Sequence, residues 1–204
     1  MTKAVVLGGT FNPLTYAHAN AIDLAKRAVN ADNEILVPAS DKFMETWKNF
    51  SMDDILPLDI RLEILFAYAK ESGAIVETCE VEGITYRTIE TLSYLKGKYK
   101  YDEIYFLFGA EKVAELKTWY KAEELFSNYK FIIFNRNGID AKKEIEKDSF
   151  TQKFMPNFVF VNEDNKYQNI SSTKIRKALL EKDYKTIEKM TFPFAVDIMK
   201  KRKI

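Results

Sequence analysis

Short apolar runs alternate along the chain with longer stretches in which apolar residues return every three or four positions. Residues 3–7 read as a buried strand. Residues 17–29 have helical period, with Ala21, Ile22, Leu24, Ala25 and Ala28 on or near one face. A second strand is expected at 34–37, stopped by Pro38, and a helix at 58–70. Residues 75–81 read as strand, and a helix opens at 88–95. The most apolar strand, 105–108, ends at Gly109, and short helices at 111–116 and 121–126 flank Thr118-Trp119-Tyr120. Strands at 131–134 and 158–161 follow, then helices at 172–180 and 192–203. Strand–helix alternation of this kind predicts an α/β fold: a parallel sheet with helices on both faces. Residues 41–56 are less regular, and 40–54 and 137–157 are the stretches expected to be mobile.

Composition narrows the function classes. A hydrophobic fraction of 47% over 204 residues builds a substantial core, so one domain spanning 1–204 is expected, its C-terminal helical part starting near 170. The 31 Lys and Arg against 30 Asp and Glu leave a net charge of +1, which argues against a dedicated nucleic-acid binder. The basic run at 200–203 reads as a solvated helix end favoured by the helix dipole. One cysteine, Cys79, and one histidine, His18, exclude an intramolecular disulfide and a Cys/His zinc site. Cys79 reads as a buried small hydrophobe. The apolar run at the amino terminus is too short for a signal peptide, and no stretch approaches the ~18 apolar residues of a membrane span. The expectation is a cytoplasmic protein with no membrane partner.

Two segments could hold phosphate. The first, Gly8-Gly9-Thr10-Phe11-Asn12-Pro13, follows the first strand and leads through Thr15 and Ala17 to His18 in the first turn of a helix. Glycines admit an anion close to backbone amides, and a helix start adds positive potential. This is neither G-x-G-x-x-G nor a P-loop, so hydride transfer and P-loop ATP hydrolysis lose their main support. His18 either contacts phosphate from that turn or is a half-exposed helix histidine with no role. The second segment is Ile170-Ser171-Ser172-Thr173-Lys174-Ile175-Arg176. Ser171 or Ser172 caps the helix, and hydroxyls, amides and the forked Arg176 cation suit an anion. A plain N-cap with a surface arginine accounts for the same residues.

Taken together, the two segments resemble the (H/T)-x-G-H and I-S-S-T-x-I-R signatures of a nucleotidyltransferase superfamily, and within it the nicotinate-nucleotide adenylyltransferase family. Gly109-Ala110-Glu111 resembles that family's G-x-D with Glu for Asp. Thr118-Trp119-Tyr120 resembles its T-W-Y, and Ile84-Thr85-Tyr86-Arg87-Thr88 resembles its S-Y-T with one residue inserted. The likeness runs from Val5 to Arg176. Thr15 stands at the first-histidine position and Ala17 at the motif glycine, and the P-P-H-K loop is absent, leaving Lys48 as the phosphate-lysine candidate.

The resemblance implies a Rossmann-like, doubly wound sheet and adenylyl transfer from ATP to nicotinate mononucleotide, with Mg²⁺ entering with ATP. It implies His18 and Arg176 as catalytic groups. Gly8, Gly9, Thr10, Phe11, Thr15, Lys48, Gly109, Glu111, Ile170, Ser171, Ser172 and Thr173 would face ATP. Tyr86, Thr88, Trp119 and Arg136 would face the pyridine mononucleotide. Nicotinamide-mononucleotide or phosphopantetheine adenylyltransferase, and a catalytically weak nucleotide-binding protein, remain alternatives, and a homo-oligomer stays open.

Overall fold

A computed structural model describes residues 1–41, 55–136 and 138–202. Its centre is a six-stranded parallel sheet in the order β3-β2-β1-β4-β5-β6. The strands are β1 (Lys3–Gly9), β2 (Asn33–Pro38), β3 (Ile75–Val76), β4 (Glu103–Gly109), β5 (Lys130–Asn135) and β6 (Phe158–Asn162). Chain order reverses between β1 and β4, which is where open α/β sheets of this order bind ligands.

Both faces of the sheet are covered because neighbouring strand residues point to opposite sides. Val5, Leu36, Ile132 and Phe134 face one apolar cluster, together with Ile22 and Ala25 of α1 (Tyr16–Val29) and Ile60, Ile64 and Leu65 of α2 (Leu58–Ser72). Ala4, Val6, Ile35, Val37, Phe131 and Ile133 face the other, with Leu92 and Leu95 of α3 (Thr88–Tyr99) and Leu125 and Phe126 of α4 (Ala122–Asn128). A 3₁₀ segment, Ala110–Thr118, joins β4 to α4. Of the C-terminal helices, α7 (Ser172–Leu180) and α9 (Pro193–Lys201) add Ile175, Ala178, Val196 and Met199 to the first cluster, with the short α8 (Tyr184–Ile187) between them.

Three expectations change. The strand expected over 75–81 ends at Val76, because the buried Glu77 carboxylate binds Lys98 and Tyr99 and the chain then turns back onto the Cys79 carbonyl. Cys79 therefore lies in a turn, fully buried, and burial pushes its thiol up. The stretch expected to be mobile at 137–157 carries α5 (Ala141–Glu146) and α6 (Ser149–Gln152), with Asp140 and Asp148 as N-caps and Ile145, Thr151 and Phe154 buried. The basic helix end is also more than solvated, since Arg202 pairs with Asp59 and Glu63 of α2. The other expected mobile stretch, 40–54, falls mostly outside the described residues. No helix among the described residues is long and apolar enough to cross a membrane.

Candidate active site

A cavity of about 680 Å³ opens at the carboxyl ends of β1 and β4. That volume lies within the roughly 300–1,000 Å³ of small-molecule pockets. The β1–α1 connection forms one wall, where Gly8, Gly9, Thr10, Thr15, Ala17 and His18 all line the space. The connection is braced from behind through its carbonyls. Buried Arg61 donates to Thr10 O at 2.8 Å, Arg176 to Asn12 O at 2.9 Å, Ser172 to Pro13 O at 2.8 Å and Thr191 to Leu14 O at 2.6 Å. In a planar trans peptide the N–H points opposite to the C=O. Turning the Thr10 carbonyl onto Arg61 therefore turns the Phe11 amide to the other side.

Helix α1 begins with a capping box of unusual composition. Thr15 is the N-cap, and its hydroxyl accepts the His18 backbone N–H at 3.3 Å. Glu or Gln commonly closes such a box from the third helical position. Here His18 does so, its Nδ1 lying 3.1 Å from the Thr15 amide and 2.9 Å from the Thr15 hydroxyl. Phe11 packs edge-on to the imidazole, with ring centroids 5.4 Å apart.

Ile170, Ser171 and Ser172 bring the start of α7 to the cavity, with Ser171 as N-cap through its bond from the Lys174 amide. At the ends of β4 and β5, Glu111 and Arg136 form a bidentate pair across Gly109. A Cβ at Gly109 would overlap the Glu111 carboxylate and Arg136 Nε, so a larger residue there would push the pair aside. Burial pushes the Glu111 carboxyl up, but the Arg136 hydrogen bonds and charge outweigh it and leave it below its ordinary value. The same hydrogen bond raises Arg136. Tyr86, Thr88 and Trp119 also line the cavity. The half-buried Trp119 indole also packs against Phe108 at 5.4 Å and Phe126 at 6.1 Å between ring centroids.

The structure thus gathers most of the expected residues and moves some. Phe11 is 1% exposed and supports His18 from below instead of lining the cavity. Thr173 and Arg176 are not on the cavity wall; Arg176 folds back from the second turn of α7 onto the loop carbonyl and reaches the Thr173 hydroxyl at 3.4 Å. Glu111 and Arg136, expected to serve different substrates, bind each other. Lys48 lies outside the described residues. Arg87, inside the segment expected to contact the pyridine nucleotide, lines the cavity too, whereas Glu80, Phe106, Phe108 and Glu163 line it and were missed. The rule that ligands collect at strand carboxyl ends could have found Phe108 and Glu163, which stand at the ends of β4 and β6. Glu80 sits in the turn after β3, and burial raises its carboxyl, partly offset by a hydrogen bond from Thr91 at 2.9 Å.

Comparison with known proteins agrees with this geometry. Residues 6–178 match the cytidylyltransferase-like family model. A protein named probable nicotinate-nucleotide adenylyltransferase from Clostridium acetobutylicum is 31% identical over 208 residues, covering 100% of this chain and 99% of the relative. The chain belongs to the nicotinate-nucleotide adenylyltransferase family, within the cytidylyltransferase-like group. A family member of the same name from Clostridium perfringens is also 31% identical, over 98% of this chain and 96% of the relative. Two solved structures of the Plasmodium falciparum nicotinic acid mononucleotide adenylyltransferase superpose along the whole chain. The one complexed with APC gives a TM-score of 0.75 at 21% identity, covering 97% of that chain. The one complexed with NaAD gives 0.72 at 22% identity, also over 97% of that chain. At these identities the likeness shows the fold, a Rossmann-like α/β sheet shared with this family.

Proposed function

We propose that this family member transfers the adenylyl group of ATP to nicotinate mononucleotide and releases pyrophosphate, a step of pyridine dinucleotide synthesis. One observation carries the reading. The His18 turn of α1, the start of α7 and the Trp119 wall converge on a single cavity at the strand-order reversal. The family membership supports it.

A phosphate oxygen of the mononucleotide attacks the α-phosphorus of ATP. The new O–P bond forms as the bond to the bridging oxygen breaks, and pyrophosphate leaves with that electron pair. No enzyme nucleophile is required, so the protein contributes position and charge stabilisation. His18 donates to the α-phosphate, and the Gly8–Thr10 backbone and the start of α7 cradle phosphate. Arg176 holds the loop in shape through Asn12. Trp119 offers a flat apolar face to the pyridinium ring. Mg²⁺ is carried by ATP as part of the substrate, held mainly by phosphate oxygens and water.

A pyrophosphate-release assay tests the reading, with ATP and Mg²⁺ supplied alongside nicotinate mononucleotide, nicotinamide mononucleotide or phosphopantetheine. Fastest turnover with the nicotinate substrate is expected. Preference for either other acceptor reassigns the substrate. Absence of turnover with ATP still bound would favour a nucleotide-binding protein.

A further inference from the structure

We propose that Thr15 is a positioning residue that locks His18 as the Nε2–H tautomer, so that the imidazole meets its substrate as a neutral hydrogen-bond donor. The Thr15 backbone N–H points at Nδ1 over 3.1 Å, and a backbone amide can only donate. Nδ1 must therefore present its lone pair. The Thr15 hydroxyl already accepts the His18 amide at 3.3 Å, so its proton is available for the same Nδ1, 2.9 Å away. With Nδ1 fixed as an acceptor by the amide, the hydroxyl can donate to it as well. A ring whose Nδ1 is an acceptor carries its proton on Nε2.

An imidazolium, or the other tautomer, would set an Nδ1 proton against the Thr15 N–H. Thr15 is 0% exposed, so water cannot relieve that conflict. The edge contact with Phe11 holds the ring plane. Threonine at this motif position thereby acquires a role of its own. Acting through His18, it decides which ring nitrogen donates. The inference rests on the adenylyl-transfer reading only for the identity of the acceptor, the α-phosphate.

The chain contains one histidine, so nitrogen NMR of the ¹⁵N-labelled 204-residue chain reads His18 without assignment. At neutral pH the expected spectrum has a protonated Nε2 and an unprotonated Nδ1, in wild type and in Thr15→Ser. Thr15→Val keeps the backbone N–H but loses the N-cap hydroxyl that holds the ring against it, so Nδ1 protonation should rise. Its kcat should fall by roughly 10- to 100-fold, less than the ~10⁴ lost when an imidazole tautomer is inverted outright. KM for ATP should stay nearly constant, and Thr15→Ser should restore kcat. A wild-type ring protonated at Nδ1 overturns the proposal whether or not Thr15→Val folds. So does a folded Thr15→Val with unchanged ring and kcat. An Nε2–H ring in a wild-type protein with no adenylyl transfer would sink the proposed function while supporting the tautomer assignment.

Discussion

Trp119 does two jobs at once. One part of the indole belongs to the aromatic cluster of Phe106, Phe108 and Phe126, and another part lines the cavity. Trp119→Ala is therefore expected to act on binding and on stability together. KM for the mononucleotide should rise roughly tenfold, equivalent to about 1.4 kcal/mol, with KM for ATP nearly unchanged. Stability should fall by about 2 kcal/mol, below the 3–5 typical of fully buried large aromatics, because the ring is half-exposed. Steady-state kinetics with each substrate varied, alongside urea denaturation, separates the two effects; equal rises in both KM values would show a loosened fold and no pyridine contact. His18→Ala should lower kcat by about 10²–10³, the usual cost of losing a donor to developing negative charge. It also opens the capping box, so a loss of roughly 0.5–1 kcal/mol should accompany it. Near-normal kcat in this variant would remove His18 from the chemistry.

Helix α2 reaches the site through one side chain. Arg61 is fully buried and donates to the carbonyls of Thr10, Ala39 and Leu56 while pairing with Asp41. It thereby joins the carboxyl ends of β1 and β2 to both ends of the chain flanking residues 42–54. Burial lowers the Arg61 pKa, and the Asp41 charge and hydrogen bond oppose that shift. Removing one partner of such a buried arrangement leaves carbonyls and a carboxylate unsatisfied. Arg61→Met should accordingly cost about 3–5 kcal/mol, and Arg61→Lys should recover only part, since one ammonium cannot reproduce the planar fork. Urea midpoints measure the loss. A midpoint within error of wild type would mean that the loop is held without Arg61.

At the scale of the molecule, buried acids tune stability with pH. Glu34 on β2 is 6% exposed. Burial raises its carboxyl above the ordinary 4.5, against smaller downward effects of the Lys26 charge and the Tyr68 hydrogen bond. The folded protein therefore holds this proton at pH values where the unfolded chain has released it. Its contribution to stability is complete below the unfolded value near ~4.3 and is lost as pH rises through the raised folded value. Glu34→Gln keeps an acceptor for Tyr68 and removes that loss. It should raise the urea midpoint at pH 7 relative to wild type, with the gain shrinking toward pH 4. A gain independent of pH would mean that ionisation of Glu34 is not the cause.

The fold class was legible because alternation of buried strands with amphipathic helices is a local pattern, written in neighbouring residues such as Val5, Val6, Ile22 and Ala25. The two anion segments were legible for a similar reason: a glycine pair after a strand and a Ser-Ser helix start are short-range features. Tertiary structure alone decided how they are used. Arg176 and Arg61 look alike in the sequence as helix arginines. Folding turns both onto carbonyls of one loop, from helices more than a hundred residues apart. Glu111 and Arg136 became a pair because β4 and β5 are neighbours, a relation that no spacing encodes. Thr15 and His18 lie only three residues apart, and the sequence determined that they meet on one helical turn. Which nitrogen of the ring carries the proton was decided by the direction of the Thr15 amide, and only the folded backbone sets that direction.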